Sequence, residues 1–280
     1  MSNLRLKLKR AAQSKSFYTL VIVLGVALIA VAGFKIISAQ LEYSRARNEY
    51  DDLRSMFYAV STPMMDAGID LTLNPQERPT NDADYESEDS SEIEPAPWSD
   101  PMEELYEINS DFVGWITIDD MISYPIVQGH NNDRYLHTTF QGSRNSSGAI
   151  FVDYRNRADF LSPVTFIYGH NMRDGSMFGT LNRFLNSDFL QENQFITIRK
   201  PDWTTITYRI FAVRVVNVWD VENNPNNLTA STMQNAFSAV SENTEHFLIL
   251  STCTFNQNDD ERLRVYAAMI DYAPPFGMSG

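Results

Sequence analysis

Apolar residues fall into three successive patterns along this 280-residue chain. The first is continuous. Phe17 to Phe34 contains no charged residue, and Ile36-Ile37 extends the run past Lys35. Such a run is near the lower limit for spanning a bilayer, with the lysine head able to reach the interface. The second pattern is a stripe. Residues 38–65 are rich in helix formers, and Leu41, Tyr50, Leu53 and Phe57 share one face of the juxtamembrane helix they predict. The third begins at residue 101, where apolar and β-branched residues come in short runs separated by polar turns. These include Gly114–Ile118, Tyr124–Val127, Gly148–Val152, Val164–Gly169, Gln194–Ile198, Thr204–Val213, His246–Cys253 and Arg262–Ala267. Many short strands with polar turns predict a mainly β domain, a barrel or a sandwich, over residues 101–275. Two helical patches interrupt it, Met177–Asn186 and Ser231–Ser241. Residues 66–100 separate stripe from strands. Within them, Glu77–Asp100 holds nine acids against one arginine, with Pro79, Pro95 and Pro97. That composition cannot bury a core and reads as a solvated linker.

Charge sets the orientation. Residues 1–16 form a basic tail with Arg5, Lys7, Lys9, Arg10 and Lys15 and no acid. A basic flank stays inside, so the tail is expected in the cytoplasm, residues 17–37 across the cell membrane once, and the rest outside. The rival reading is a cleaved signal peptide, because Ala30-Val31-Ala32 fits a small-residue cleavage site. The apolar run is longer than a usual signal core, which favours an anchor, and either reading exports the domain. Net charge is −14, and the one dense basic cluster is the membrane-flanking tail, which argues against a nucleic-acid partner.

The chemistry centres on Cys253, the one cysteine in the chain. It ends the apolar run His246–Cys253, where a rigid strand would hold a thiol still yet accessible. The run Val164–Gly169 leads into His170, and the run Arg262–Ala267 opens with arginine. Thiol, imidazole and guanidinium at three strand ends are a coherent set for acyl transfer through cysteine. The bland alternative is a small buried cysteine. Three other histidines compete with His170. His130 and His137 lie in a polar, turn-rich stretch and read as surface residues, and His246 precedes the cysteine strand. Arg264 competes with Arg262, since residues two apart share a strand face. No convincing metal cluster is present, and no metal or cofactor is required.

These segments together resemble the sortases, and class B sortases among them. Ile249-Leu250-Ser251-Thr252-Cys253 is similar to the family's T-L-x-T-C signature, with isoleucine at its leading position. Tyr168-Gly169-His170-Asn171-Met172 is similar to the Y-G-H segment, and Arg262-Leu263-Arg264-Val265 to the R-h-x-V strand, although Arg264 stands where the family often has an apolar residue. Asp111–Ile116 and Phe151–Asn156 also fit. The similarity covers nearly all of residues 105–272, in the order His, Cys, Arg. It implies an eight-stranded β-barrel and a membrane-anchored transpeptidase. Such an enzyme cleaves a C-terminal sorting signal of a secreted protein after threonine, holds it as a thioester and passes it to an amine on a cell-wall cross-bridge or a pilin lysine. In that scheme His170, Cys253 and Arg262 are catalytic. Ser251, Thr252, Asn132, Leu136 and Tyr168 contact substrate, and the segment Val221–Ser231 forms a wall that reads the sorting motif. An anchored cysteine peptidase that releases its acyl group to water would use the same residues. A non-catalytic scaffold would bury Cys253.

Overall fold

The computed structural model describes residues 15–59, 100–220, 224–254 and 260–275. The first fourteen residues of the basic tail, nearly all of the acidic linker, and residues 221–223 of the predicted wall lie outside the described residues. The chain divides into two compact units between Arg47 and Asn48. Helix α1 spans Lys15–Ala59, so the predicted anchor and juxtamembrane helices are one element, while residues 60–65 lie outside the description. In the first unit its apolar side chains, such as Leu20, Ile22, Leu28, Ile29 and Phe34, are exposed. The helix is long and apolar enough to cross a membrane. In the second unit the predicted stripe is buried at Tyr50, Leu53 and Phe57, whereas Leu41, its fourth member, is exposed in the first unit. Phe57 stacks flat on Trp115 at 4.2 Å between ring centroids.

Helix α2 (Pro101–Ile108) opens the strand-rich region. Its start has a clear cause. The Asp100 carboxylate accepts the Met102 N–H at 2.9 Å, and proline takes the first helical position, where no N–H is needed. The strands are β1 (Phe112–Ile118), β2 (Ile122–Val127), β3 (Ile150–Val152), β4 (Val164–Tyr168), β5 (Phe195–Arg199), β6 (Thr205–Asn217), β7 (Phe247–Cys253) and β8 (Glu261–Ala273). They close into a barrel in the order β1-β2-β3-β4-β7-β8-β6-β5. The β2–β3 and β4–β7 pairs are parallel and the others antiparallel. Of the two architectures open to the hydrophobic pattern, the molecule therefore adopts the barrel.

The pleat sorts side chains by face. Ile167 of β4, Leu248 and Leu250 of β7, and Leu263, Val265 and Ala267 of β8 enter the barrel core. Val164 and Phe166, Phe247 and Ile249, and Tyr266 lie on the other face. A third helix, α3 (Ser187–Glu192), lies between β4 and β5. Helix α4 (Ala230–Ala236) covers the outer face with Met233, and Phe237 follows it. Burial on both faces explains why β4 and β7 read as unbroken apolar runs.

The two predicted helical patches differ in detail from what forms. The first is a 3-10 segment, Gly179–Leu185, followed by α3, whose N-cap Asn186 accepts from the Asp188 and Phe189 N–H groups. The second ends at Ala236, five residues short of Ser241. Phe237 takes an extended conformation there, which turns its ring onto Phe211 and Tyr266 at 5.0 Å each. That aromatic burial outweighs the modest gain from another helical turn.

Candidate active site

Strand register assembles the site. Tyr168 of β4 lies opposite Ser251 of β7, and Cys253 at the end of β7 lies opposite Arg262 of β8. Three strand ends therefore meet at one rim of the barrel. Alternation puts Tyr168, Ser251, Cys253, Arg262 and Arg264 on the outer face, above the patch that α4 covers. A cleft of about 240 Å³ opens there, lined by Asn132, Leu136, Phe151, Tyr168, Gly169, His170, Ser251, Thr252, Cys253 and Arg262. All eight residues named from the sequence as catalytic or substrate-contacting line this one cleft. Cys253 is exposed, unlike the buried cysteine of the bland alternative.

His170 leaves β4 after Gly169. A side chain at Gly169 would place its first carbon 2.5 Å from Ile150 Cδ1 and 2.8 Å from the Phe178 ring, so only glycine lets the chain pass there. The imidazole Nε2 lies 2.7 Å from the Leu136 carbonyl oxygen. A carbonyl can only accept, so Nε2 carries the proton and Nδ1 is the basic nitrogen of the neutral ring. Leu136 closes a short 3-10 turn, Arg134–Leu136. Named from the sequence as a substrate contact, it also fixes the histidine through its backbone. Burial is the main cause that lowers the His170 pKa below its ordinary value; the Leu136 hydrogen bond opposes it, and His137 adds to it. The imidazole thus rests neutral near neutral pH.

His137 is exposed, as its turn-rich context predicts, but its ring stacks near His170 with centroids 6.4 Å apart. No periodicity in the sequence marks that proximity. His137→Ala is expected to raise the His170 pKa toward its ordinary value. The change removes a repelling charge and uncovers the ring, and both effects favour protonation. An NMR titration of His170 checks this, and an unchanged or lower pKa would show that the two rings are not coupled. His130 is exposed, and His246 stands at the far end of β7 with Nδ1 3.3 Å from the Ser162 carbonyl.

The strand tip that carries Cys253 is tied to the histidine segment. Asn171 donates from Nδ2 to the Cys253 carbonyl at 2.7 Å, and Asn182 donates to Asn171 Oδ1 at 3.0 Å, which fixes the amide orientation. Sequence reading places Asn171 within the Y-G-H segment without assigning it a task. On the other side of the cleft, Asp153 is 1% exposed and accepts from Arg155, from Asn132 Nδ2 at 3.0 Å and from the Tyr168 hydroxyl at 3.0 Å. Burial alone would raise its carboxyl, but these hydrogen bonds prevail and hold it below the usual carboxylate range. Asn132 Oδ1 in turn accepts the Tyr154 N–H at 3.1 Å. Asn132 and Tyr168 are therefore held rigidly as cleft walls.

The two arginines separate. Arg262 is half-buried at the cleft and donates from Nη1 to the Glu261 carbonyl at 2.8 Å. Arg264 is only 3% exposed, outside the cleft lining, with its guanidinium 5.2 Å over the Phe166 ring. Beside the cleft lies a second hollow of about 300 Å³, bounded by Asp153, Arg155 and Phe166 and by Pro225, Asn226, Leu228 and Thr229 of the predicted wall.

Fold and cleft together define a closed β-barrel protein with a thiol, an imidazole and a guanidinium gathered at one rim. The chain belongs to the sortase family, whose Sortase domain model matches residues 116–270. Its similarities fall among class B sortases. It is 50% identical over 115 residues to Sortase B of Listeria monocytogenes, a stretch covering 41% of this chain and 46% of that protein. It is 28% identical over 183 residues to Sortase B of Staphylococcus aureus, covering 65% and 63%. The matches thus span less than two thirds of either relative. The structure of a mutant form of Clostridium perfringens sortase B superposes with a TM-score of 0.60 at 26% identity, covering 80% of this chain and 97% of that one.

Proposed function

We propose that this chain is a membrane-anchored cysteine transpeptidase that acts on sorting signals of secreted proteins. The observation that carries the reading is the shared cleft in which Cys253, His170 and Arg262 meet at the ends of β7, β4 and β8. The Cys253 thiol gives its proton to the neutral His170 as sulfur attacks the carbonyl carbon of threonine in the signal. Arg262 donates to the carbonyl oxygen as negative charge develops on it. The C–N bond then breaks, and His170 returns the proton to the departing amine. A thioester remains on Cys253. An incoming amine attacks it, loses its proton to His170, and takes the acyl group as the C–S bond breaks and the thiol is restored. Ser251, Thr252, Asn132, Leu136 and Tyr168 contact the signal, and the wall beyond Asn224 helps read it. The amine belongs to a cell-wall cross-bridge or a pilin lysine. The apolar helix holds the protein in the cell membrane with its basic end inside, which sets the domain outside, in the plane of a tethered substrate.

The test offers the full chain in detergent micelles a panel of sorting-motif peptides, with and without a small amine. Cleavage is expected to give mostly the peptide–amine product when amine is present. Release of free acid at an unchanged rate, with no amine product, identifies a peptidase instead. No cleavage together with an unreactive Cys253 thiol identifies a scaffold.

A further inference from the structure

The loop from Arg134 to Gly148 carries the carbonyl that fixes His170, and the end of α1 grips this loop. Tyr50 is 3% exposed. Its hydroxyl donates to the Gly148 carbonyl at 2.6 Å and accepts the Phe140 N–H at 3.3 Å. Glu49, its neighbour on the same helix, adds a third tie: its carboxylate accepts the Gln141 N–H at 2.8 Å. The Tyr50 ring sits edge-on to Tyr124 at 5.3 Å, which leaves it little freedom. Burial keeps its phenol well above the ordinary range, so the hydroxyl stays protonated and able to donate.

Gly148 transmits the grip. Its φ is +56°, a left-handed conformation that suits glycine. It lies so close to its neighbours that an added Cβ would stand 2.5 Å from the Tyr135 carbonyl oxygen, 2.9 Å from that of Leu136 and 3.1 Å from His170 Cδ2. Ala149, next in the chain, donates to the Tyr135 carbonyl at 2.9 Å. The loop's own turns brace it as well, as where the Asn145 N–H donates to the His137 carbonyl at 2.9 Å. Displacement of Gly148 therefore displaces the Leu136 carbonyl or the His170 ring.

We propose that Tyr50 is a positioning residue for His170. Its hydroxyl, buried and outside the cleft lining, sets the place of Gly148 and through it the Leu136 carbonyl that locks the imidazole in its Nε2–H form. The helix that leads from the apolar segment is by this account part of the catalytic machinery and not only a tether. The kinetic side of the proposal rests on the transpeptidase reading; the tautomer side does not.

The experiment uses the full chain in detergent micelles with 15N-labelled histidine. Only four imidazoles contribute, so long-range 1H–15N spectra at mildly alkaline pH read the His170 tautomer without substrate. The unsubstituted protein is expected to show a dominant Nε2–H form. Tyr50→Phe keeps the ring but loses both hydrogen bonds, and is expected to give a mixture of the two tautomers. With peptide and amine, kcat should fall about ten-fold while KM changes little, the pattern of a misplaced catalytic group. Glu49 is half-buried and makes a single tie to the loop, so Glu49→Ala should fold, and it is expected to shift the tautomer in the same direction by less. Phe57→Leu, on the same helix as Tyr50 but packed against Trp115 of β1, is the control: it should lower Tm and leave the tautomer alone. A single unchanged tautomer in folded Tyr50→Phe overturns the proposal, as does an equal shift in Phe57→Leu. Should Tyr50→Phe fail to fold, an unchanged tautomer in Glu49→Ala overturns it. Mixed tautomers in a protein that transfers no peptide would support the positioning while defeating the transpeptidase reading.

Discussion

Cys253→Ala is expected to abolish peptide transfer and leave the barrel intact. Cys253 is the last residue of β7, is exposed, and holds its place through backbone pairing with Arg262, which alanine retains. Little apolar contact is lost, so stability should change by no more than about 1 kcal/mol. The rate should fall by roughly four decades or more, as when a covalent nucleophile is removed, and the chain has no second thiol to substitute for it. The measurements are the yield of peptide–amine product and Tm. Retention of even a tenth of the rate in a folded alanine variant would sink the cysteine mechanism.

The candidate site was legible in the sequence because each of its groups ends a segment whose pattern is unambiguous. Val164–Tyr168 and Phe247–Leu250 are buried on both faces, one against the barrel core and the other against α4, and so read as continuous apolar runs. Polarity returns at Gly169-His170 and at Ser251-Thr252-Cys253, where the strands reach the rim. The closure of the barrel was less legible. β6 and β8 pair over their full lengths with register shifts near Tyr208 and Ile210, and such irregularities decide curvature without leaving a periodic trace. The ends of these long strands, past Val213 and past Ala267, are largely exposed and lack a regular alternation of polar and apolar residues, so no period marks how far the pairing continues. Helix α4 was overestimated because Phe237 and Val240 continue an apolar pattern that the chain satisfies with an extended turn instead.

What the sequence could not show is chiefly backbone chemistry. The Leu136 carbonyl that holds His170, and the Cys253 carbonyl that receives Asn171, belong to no motif, since every residue supplies a carbonyl. His137 approaches His170 because the Arg134–Leu136 turn bends the chain back, a consequence of loop geometry. Tyr50 reads from the sequence as one more apolar stripe residue. Its hydroxyl finds partners 90 and 98 residues away, which only the folded chain brings within reach.

Arg262→Ala and Arg264→Ala are expected to fail in different ways, although the residues are two apart on one strand. Arg262 lines the cleft opposite Cys253. Loss of a charged donor to a developing oxyanion should lower kcat/KM by about two to three decades, with Tm little changed because the side chain is only half-buried. Lysine should restore little, since an ammonium lacks the planar fork that can hold a carbonyl oxygen and a neighbouring group together. Arg264 lies opposite Ser251 but beneath the cleft surface, packed over Phe166. Its truncation removes a buried cation–π contact and leaves a hole in the outer wall, so the main effect should be a stability loss of about 2–4 kcal/mol. Any rate loss at Arg264 should be modest at temperatures where the variant remains folded. Both variants are compared by kcat/KM and by Tm under the same conditions. A larger rate loss at folded Arg264→Ala than at Arg262→Ala would reverse the assignment. The buried guanidinium would then have to act on the reaction through Ser251, the residue that faces it across the strands.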